Sequence, residues 1–330
     1  MIFRHFGAVS IAAALVSATP AMSEKSPVKV TSGDVVKAID PVTIGAFNVG
    51  FVFESIDGNA AIGGLIGAFG GATRAKSLLV GVTPEMMQAI TDAAYADFSR
   101  QLAARGFTLV DSGGLFAADK VSKLKPVAAP NIVKIKLDPR NDSNGKASFY
   151  KPGSLPAMIV LAGDITGSSI FSAFGQAGAG IDTQMAVQDY TKASGQTVLN
   201  VTYVIDFSQV KRPGAFSFGK LEVNSGMAIV GDYSRVMLIT PADKTATLVL
   251  QQPVAVEGDF STKADETKDG AWQKAGNVAG GIAAAMGAGG FMLGKSKTFS
   301  FTAKPAYQEG AIKAATLANT AFVEQLAALH

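Results

Sequence analysis

No cysteine occurs anywhere in the chain, so no disulfide can staple the fold and stability has to come from a packed core. Apolar residues are plentiful: 48% of the 330 residues are hydrophobic, enough for one large domain or two small ones. The N-terminus reads as an export signal. Arg4 and His5 form a short basic head, Gly7 to Val16 is an uncharged apolar run, and Ser17, Ala18, Thr19, Pro20 and Ala21 are small or helix-breaking. That order is the one a secretory signal peptide takes, with cleavage expected after Ala21 or Ser23. The apolar run falls well short of the ~20 residues of a spanning helix. Without a cysteine there is no site for the usual bacterial lipoprotein anchor. The expected location is the periplasm, free or associated with the outer membrane.

The expected organisation is a signal peptide over 1–23, a polar arm over 24–41, and a single α/β domain over 42–330 with Gly/Ala-rich segments at 60–72 and 275–294. Val42 to Phe53 is β-branched and aromatic and reads as a strand or a bulged pair. Val82 to Arg105 is the clearest helix: Thr83 can cap it, Pro84 suits its first position, and Met86 or Met87, Ile90, Ala94, Phe98 and Leu102 recur at helical spacing. Gly106 stops it, and Phe107 to Val110 reads as a short strand. Ala117 to Lys151 is polar, with the turn signal Asp142-Ser143-Asn144-Gly145. Ala157 to Ala162 reads as a buried strand and Ile170 to Asp182 as a Gly/Ala loop. Val198 to Phe207 is a strong strand, followed by strand-like runs at Phe216 to Val223, Met227 to Thr240 and Ala246 to Val256, with Pro241-Ala242-Asp243-Lys244 as a turn. Thr298 to Ala303 alternates. Ala306 to Leu329 reads as a closing helix, with Ile312, Ala315, Leu317, Phe322 and Leu326 directed inward. The expected fold class is α/β to α+β: a mixed sheet with an early amphipathic helix and a C-terminal helix packed on it.

Most catalytic classes lack their residues. The two histidines are His5, in the signal, and His330, the last residue. A core with neither histidine nor cysteine excludes Ser-His-Asp and Cys-His catalysis and nearly all zinc chemistry. A net charge of +3, without a block of Lys or Arg, argues against nucleic acid as a partner. Gly289 to Ser296 fits the phosphate-loop pattern G-x-x-x-x-G-K-[ST], but that loop needs a strand before it and a helix after it. Here a Gly/Ala stretch precedes it and the alternating Thr298 to Phe301 follows, so the match is read as chance. Ser208 to Lys211 and Ser143 to Lys146 fit S-x-x-K without the companion motifs of penicillin-binding enzymes. Asp164 and Asp206, near the ends of apolar strands, are the candidate carboxylates for acid/base work of the glycosidase kind. No catalytic, cofactor or metal residue is assigned.

The glycines form a second pattern. Gly63, Gly67 and Gly71 are spaced by four, as are Gly276 and Gly280, and small residues at that spacing allow close packing, especially in membranes. Lys274 and Lys295 bracket a stretch whose one plainly polar side chain is Asn277, long enough to span a bilayer. Its many glycines lower its helix propensity, and a soluble, tightly packed segment or loop is the other reading.

The run Val42 to Phe47, the helix Pro84 to Arg105, the short strand Phe107 to Val110, the stretch Ile159 to Gly167 (IVLAGDITG) and the strand Val198 to Phe207 occur in an order that resembles the periplasmic domain of the curli-secretion (CsgG-type) family. An alanine-rich C-terminal helix closes both. The family's lipoprotein cysteine is absent, and where its D-x-x-T-G would follow the long strand this chain has Asp206-Phe207-Ser208-Gln209-Val210. The resemblance implies an α/β domain and an assembly or interaction role in the envelope; lipid anchoring, channel formation and functional residues do not carry over. The expected function is that of a non-catalytic exported envelope protein, an assembly or interaction factor. Its expected partners are other envelope proteins or itself, with membrane contact through the Gly-rich segments. The competing expectations are a periplasmic hydrolase or carbohydrate-acting enzyme using Asp164 and Asp206, and a small-ligand-binding protein.

Overall fold

A computed structural model describes residues 26–34, 39–58, 74–138, 143–161, 170–211, 222–267 and 296–330. It has an α+β fold built on a mixed sheet, with the C-terminal helix packed on that sheet. Thirteen strands among the described residues share the sheet: β1 (Val28–Thr31), β2 (Val42–Gly58), β3 (Arg74–Val80), β4 (Leu109–Val110), β5 (Asn131–Asp138), β6 (Ser143–Tyr150), β7 (Thr197–Lys211), β8 (Glu222–Ile229), β9 (Arg235–Ile239), β10 (Thr245–Leu250), β11 (Val254–Ala255), β12 (Ser261–Asp265) and β13 (Ser296–Ala303). The helices are α1 (Pro84–Ala104), α2 (Gly113–Ala117), α3 (Asp119–Ser122), α4 (Ile170–Ser194) and α5 (Tyr307–Leu329).

β2 organises the sheet because it is long, β-branched and almost wholly buried. β6 runs antiparallel along one edge. The other edge is shared: β7 pairs in parallel over Val42 to Phe51, and β3 pairs antiparallel over Glu54 to Gly58. The sheet therefore forks. One branch runs β7–β9–β10–β1, with β8 beside the far half of β7; the other runs β3–β13–β12. Bulges at Ile44/Ala46 and Val52/Glu54 bend β2 between its partners.

Each face has its own cover. On one, Phe47 meets Tyr95 and Phe98 of α1 at 5.7 Å and Tyr203 of β7 at 5.4 Å, and Tyr203 stacks on Phe322 of α5 at 5.9 Å. On the other, Ala46, Val198 and Ile239 pack with Leu115, Val121, Ile159, Leu161, Ala186 and Val187 from α2, α3, the 159–161 stretch and α4. α1 begins as its sequence dictates: the Thr83 side chain accepts the Met86 N–H at 3.2 Å and Pro84 takes the first turn. Gly106, with φ +88°, lets the chain turn away. Thr83→Ala is expected to lower the urea-unfolding free energy by about 1 kcal/mol, with an unchanged m-value.

Several expectations are corrected. Of the Ala157 to Ala162 run, the described residues 157–161 contribute no ladder strand; one isolated bridge joins Met158 to Val127, and Ile159 and Leu161 lie buried in the cover. Ile170 to Asp182 is the start of a helix rather than a loop. The polar stretch before Lys151 contains the hairpin strands β5 and β6, and Ser143, Asn144 and Gly145 belong to β6 rather than to a turn. Met227 to Thr240 is two strands, interrupted near Asp232 with φ 62°. Val28–Thr31, inside the arm of weak pattern, pairs with β10 as an edge strand. Leu317 is 43% exposed, whereas Ala315, Phe322 and Leu326 are buried. The signal peptide and both Gly/Ala-rich segments lie outside the described residues.

The strand ends are distributed unequally. β2 ends at Gly58 and β3 starts at Arg74; β5 ends at Asp138 and β6 starts at Ser143; β7 ends at Lys211 and β8 starts at Glu222; β12 ends at Asp265 and β13 starts at Ser296. The registers Gly58↔Arg74, Asp57↔Ser143, Lys211↔Glu222 and Arg74↔Ser296 put all eight termini at one end of the sheet. The connections 59–73 and 268–295, which hold the two Gly/Ala-rich segments, thus leave and re-enter through adjacent strands.

Candidate functional site

The fork brings together a carboxyl whose titration is raised well above the ordinary aspartate range and a second acid. Asp206 sits one residue past the last β2–β7 pair, Phe51↔Ile205, where β7 turns toward β8. Its Oδ1 accepts hydrogen bonds from the Ser208 N–H at 3.1 Å and the Ser208 hydroxyl at 3.3 Å. Asp206 keeps some surface, yet it is packed densely enough that burial pushes its carboxyl up to about 7; the charge of Asp57 adds to the rise, and the Ser208 bonds oppose it. Asp57 stands on the other side of the fork, in β2, paired to Ala75 of β3 and Ser143 of β6. It is 1% exposed. Its two oxygens accept the Ser143 hydroxyl and, at 3.2 Å, the Ser55 hydroxyl. Tyr307, buried at the start of α5, has its hydroxyl pushed well above the ordinary tyrosine range by burial and then by the charge of Asp206.

On β2, three residues before Asp57, Glu54 is bracketed by Lys76 Nζ at 3.0 Å and Lys146 Nζ at 3.1 Å. Burial works to raise the Glu54 carboxyl, but the two lysines outweigh it and hold it below its usual value. Burial lowers Lys76 against the pull of the same pair. This is a buried salt-bridged group and needs no ligand to explain it.

Asp206 can exchange a proton near neutrality, and Asp57 offers a differently surrounded carboxylate nearby, the combination that separates acid from base in two-carboxylate sites. Of the pair singled out in the sequence, Asp206 is at the fork and Asp164 lies outside the described residues. Asp57 went unrecognised: its proximity to Asp206 arises from the shared edge of β2, and no local spacing encodes it. Both S-x-x-K matches lie inside strands, Ser143 to Lys146 in β6 and Ser208 to Lys211 in β7, where the helix start that the nucleophile requires is missing. Of the phosphate-loop match, Ser296 opens β13, so a strand follows where the motif demands a helix. Among the described residues, no group of three or more His, Cys, Asp or Glu could hold a metal ion. None of their helices is long and apolar enough to cross a membrane. No family model matches the chain, and no similar curated protein or solved structure was found.

Proposed function

We propose that the protein is a non-catalytic factor of the cell envelope, exported by its N-terminal signal and acting through contacts with other envelope proteins, with itself or with the outer membrane. The observation that supports this reading is the position of the strand ends that the connections 59–73 and 268–295 join: the end of β2, the starts of β3 and β13 and the end of β12 lie together at one end of the sheet. Residues 60–72 carry no charged side chain, and residues 275–294 carry none either. Two uncharged, small-residue segments tethered to neighbouring strand ends have a composition suited to close packing against another chain or to lipid. The missing histidine and cysteine chemistry favours the same reading.

Fractionation of tagged protein tests it. The expected result is recovery with the membranes, release by detergent but not by carbonate, and a ladder of crosslinked species. Deletion of residues 275–294 is expected to move most of the protein into the soluble fraction as a monomer. Recovery of the intact protein as a free periplasmic monomer would overturn the proposal. A second reading, an exported hydrolase, rests on the raised Asp206 carboxyl beside Asp57; it requires that Asp206→Asn and Asp57→Asn each abolish a turnover shown by the wild-type protein.

A further inference from the structure

On the sheet face beneath α2 and the 159–161 stretch, three polar side chains are shut in with unmet hydrogen-bonding capacity. Asn48, Asn200 and Thr202 are each 1% exposed. Asn48 and Thr202 are paired directly across β2 and β7, and Asn200 is one pleat away on the same face. Asn48 uses its Nδ2 to donate to the Ile159 carbonyl at 2.8 Å, while its Oδ1 has no partner. Neither Oδ1 nor Nδ2 of Asn200 has a partner, and neither does Oγ1 of Thr202. Arg235 of β9 stands directly across from Thr202, extending the polar row to a third strand.

The surroundings are apolar. A Cβ on Gly45 would lie 2.9 Å from Leu115 Cδ2 and 3.0 Å from Asn200 Oδ1, so the leucine and the amide converge over that glycine. Ala46, Val198, Ile159 and Leu161 enclose the same region. Buried polar groups are nearly always paired, because an unmet donor or acceptor forfeits its bond to water. Four unmet atoms on neighbouring residues of two strands are a concentration that packing alone does not favour: valine or leucine would serve the apolar layer better.

We propose that Asn48, Asn200 and Thr202 form a binding site for a small polyhydroxylated molecule of monosaccharide size, admitted when Leu115 and Ile159 shift away from the sheet. The identity follows from the unmet atoms. They include one amide donor, two amide acceptors and a hydroxyl. A carboxylate or phosphate only accepts and would leave both Asn oxygens unmet; a metal ion or ammonium would leave Asn200 Nδ2 unmet. A ligand satisfying all four must donate and accept, as hydroxyls do. Paired strands lie ~4.8 Å apart and alternate residues of one strand ~6.6 Å apart, so the three side chains spring from a patch about as wide as one sugar ring. The argument is independent of the envelope proposal, since it uses none of the residues on which that proposal rests.

The test is thermal unfolding of the full exported chain titrated with D-glucose, D-galactose and N-acetylglucosamine, in parallel on the wild type, Asn200→Leu and Thr202→Val. At least one sugar is expected to raise the wild-type midpoint saturably, by about 2–4 °C at high occupancy. The shift is expected to vanish in both variants, while their sugar-free midpoints stay at or above that of the wild type because unmet polar atoms have been removed. A flat response of the wild type to all three sugars overturns the proposal, as does a shift that survives in Asn200→Leu. Should Asn200→Leu fail to fold, the near-isosteric Thr202→Val decides by the same readout. An ordered water filling the site in a crystal soaked with a sugar also overturns it.

Discussion

Asn319→Leu is expected to cost the fold about 3–5 kcal/mol. Asn319 is fully buried and joins three elements. Its Oδ1 accepts the Tyr203 hydroxyl at 2.7 Å. Its Nδ2 donates to the Ala94 carbonyl at 3.0 Å and to Asp97 Oδ2 at 2.8 Å. Asp97 is held in turn by Gln101 Nε2 at 2.7 Å and by Arg100. Leucine keeps the branching at Cγ but is larger, so crowding against α1 adds to an electrostatic loss: a tyrosine hydroxyl in a wholly buried position loses its acceptor, and a largely buried carboxylate loses one of its donors. The control is Tyr203→Phe, which removes the hydroxyl that would be stranded. In that background Asn319→Leu is expected to cost about 1 kcal/mol less, a coupling measurable by a double-mutant cycle in urea. A loss below about 1 kcal/mol for Asn319→Leu alone would mean that water replaces the amide and that α1, α5 and β7 are not fastened through it.

That network also shows why part of the molecule was legible before any coordinates and part was not. The strand at Val42, the helix at Pro84 with its Thr83 cap and the strand around Val198 announce themselves because burial on both sides demands unbroken β-branched runs or a helical stripe. The inward stripe of α5 was partly misjudged. Ala314, Ala315 and Ala318 are buried and Leu317 faces out, because close approach to α1 selects small residues and an asparagine over the largest apolar side chain. Gly145 looks like a turn residue, but a Cβ there would sit 2.8 Å from the Glu54 carbonyl oxygen, so close approach of β6 to β2 requires it. β5 reads as part of a polar stretch because Lys134 and Lys136 alternate with Val133, Ile135 and Leu137 on a strand paired, among the described residues, to β6 alone, and lysines of this kind protect an edge. The candidate site was half legible: Asp206 ends an apolar run, but nothing around Asp57 indicates that β3 and β7 share an edge of β2.

Asp206→Asn is expected to stabilise the protein at pH 8 by about 2 kcal/mol and to leave it nearly unchanged at pH 4. The folded carboxyl titrates near about 7, whereas in an unfolded chain an aspartate titrates near ~3.9. Between those values the folded protein holds a proton that the unfolded chain has released. Stability from this group is therefore complete below about 4, declines as the pH rises toward 7 and stays low above it. The full interval corresponds to about 4 kcal/mol; the surface that Asp206 retains reduces the expected loss to about half. Asparagine keeps an oxygen to accept the Ser208 N–H and hydroxyl, so the variant removes the charge and leaves the hydrogen bonds. Other carboxylates contribute the opposite slope, so the diagnostic quantity is the difference between variant and wild type, measured by urea unfolding from pH 4 to 8. A difference that grows with pH and levels off above about 7 assigns the titration to Asp206. A difference that is flat across the range would mean that Asp206 is solvated as an ordinary surface carboxylate, and the case for acid/base chemistry at the fork would fall with it.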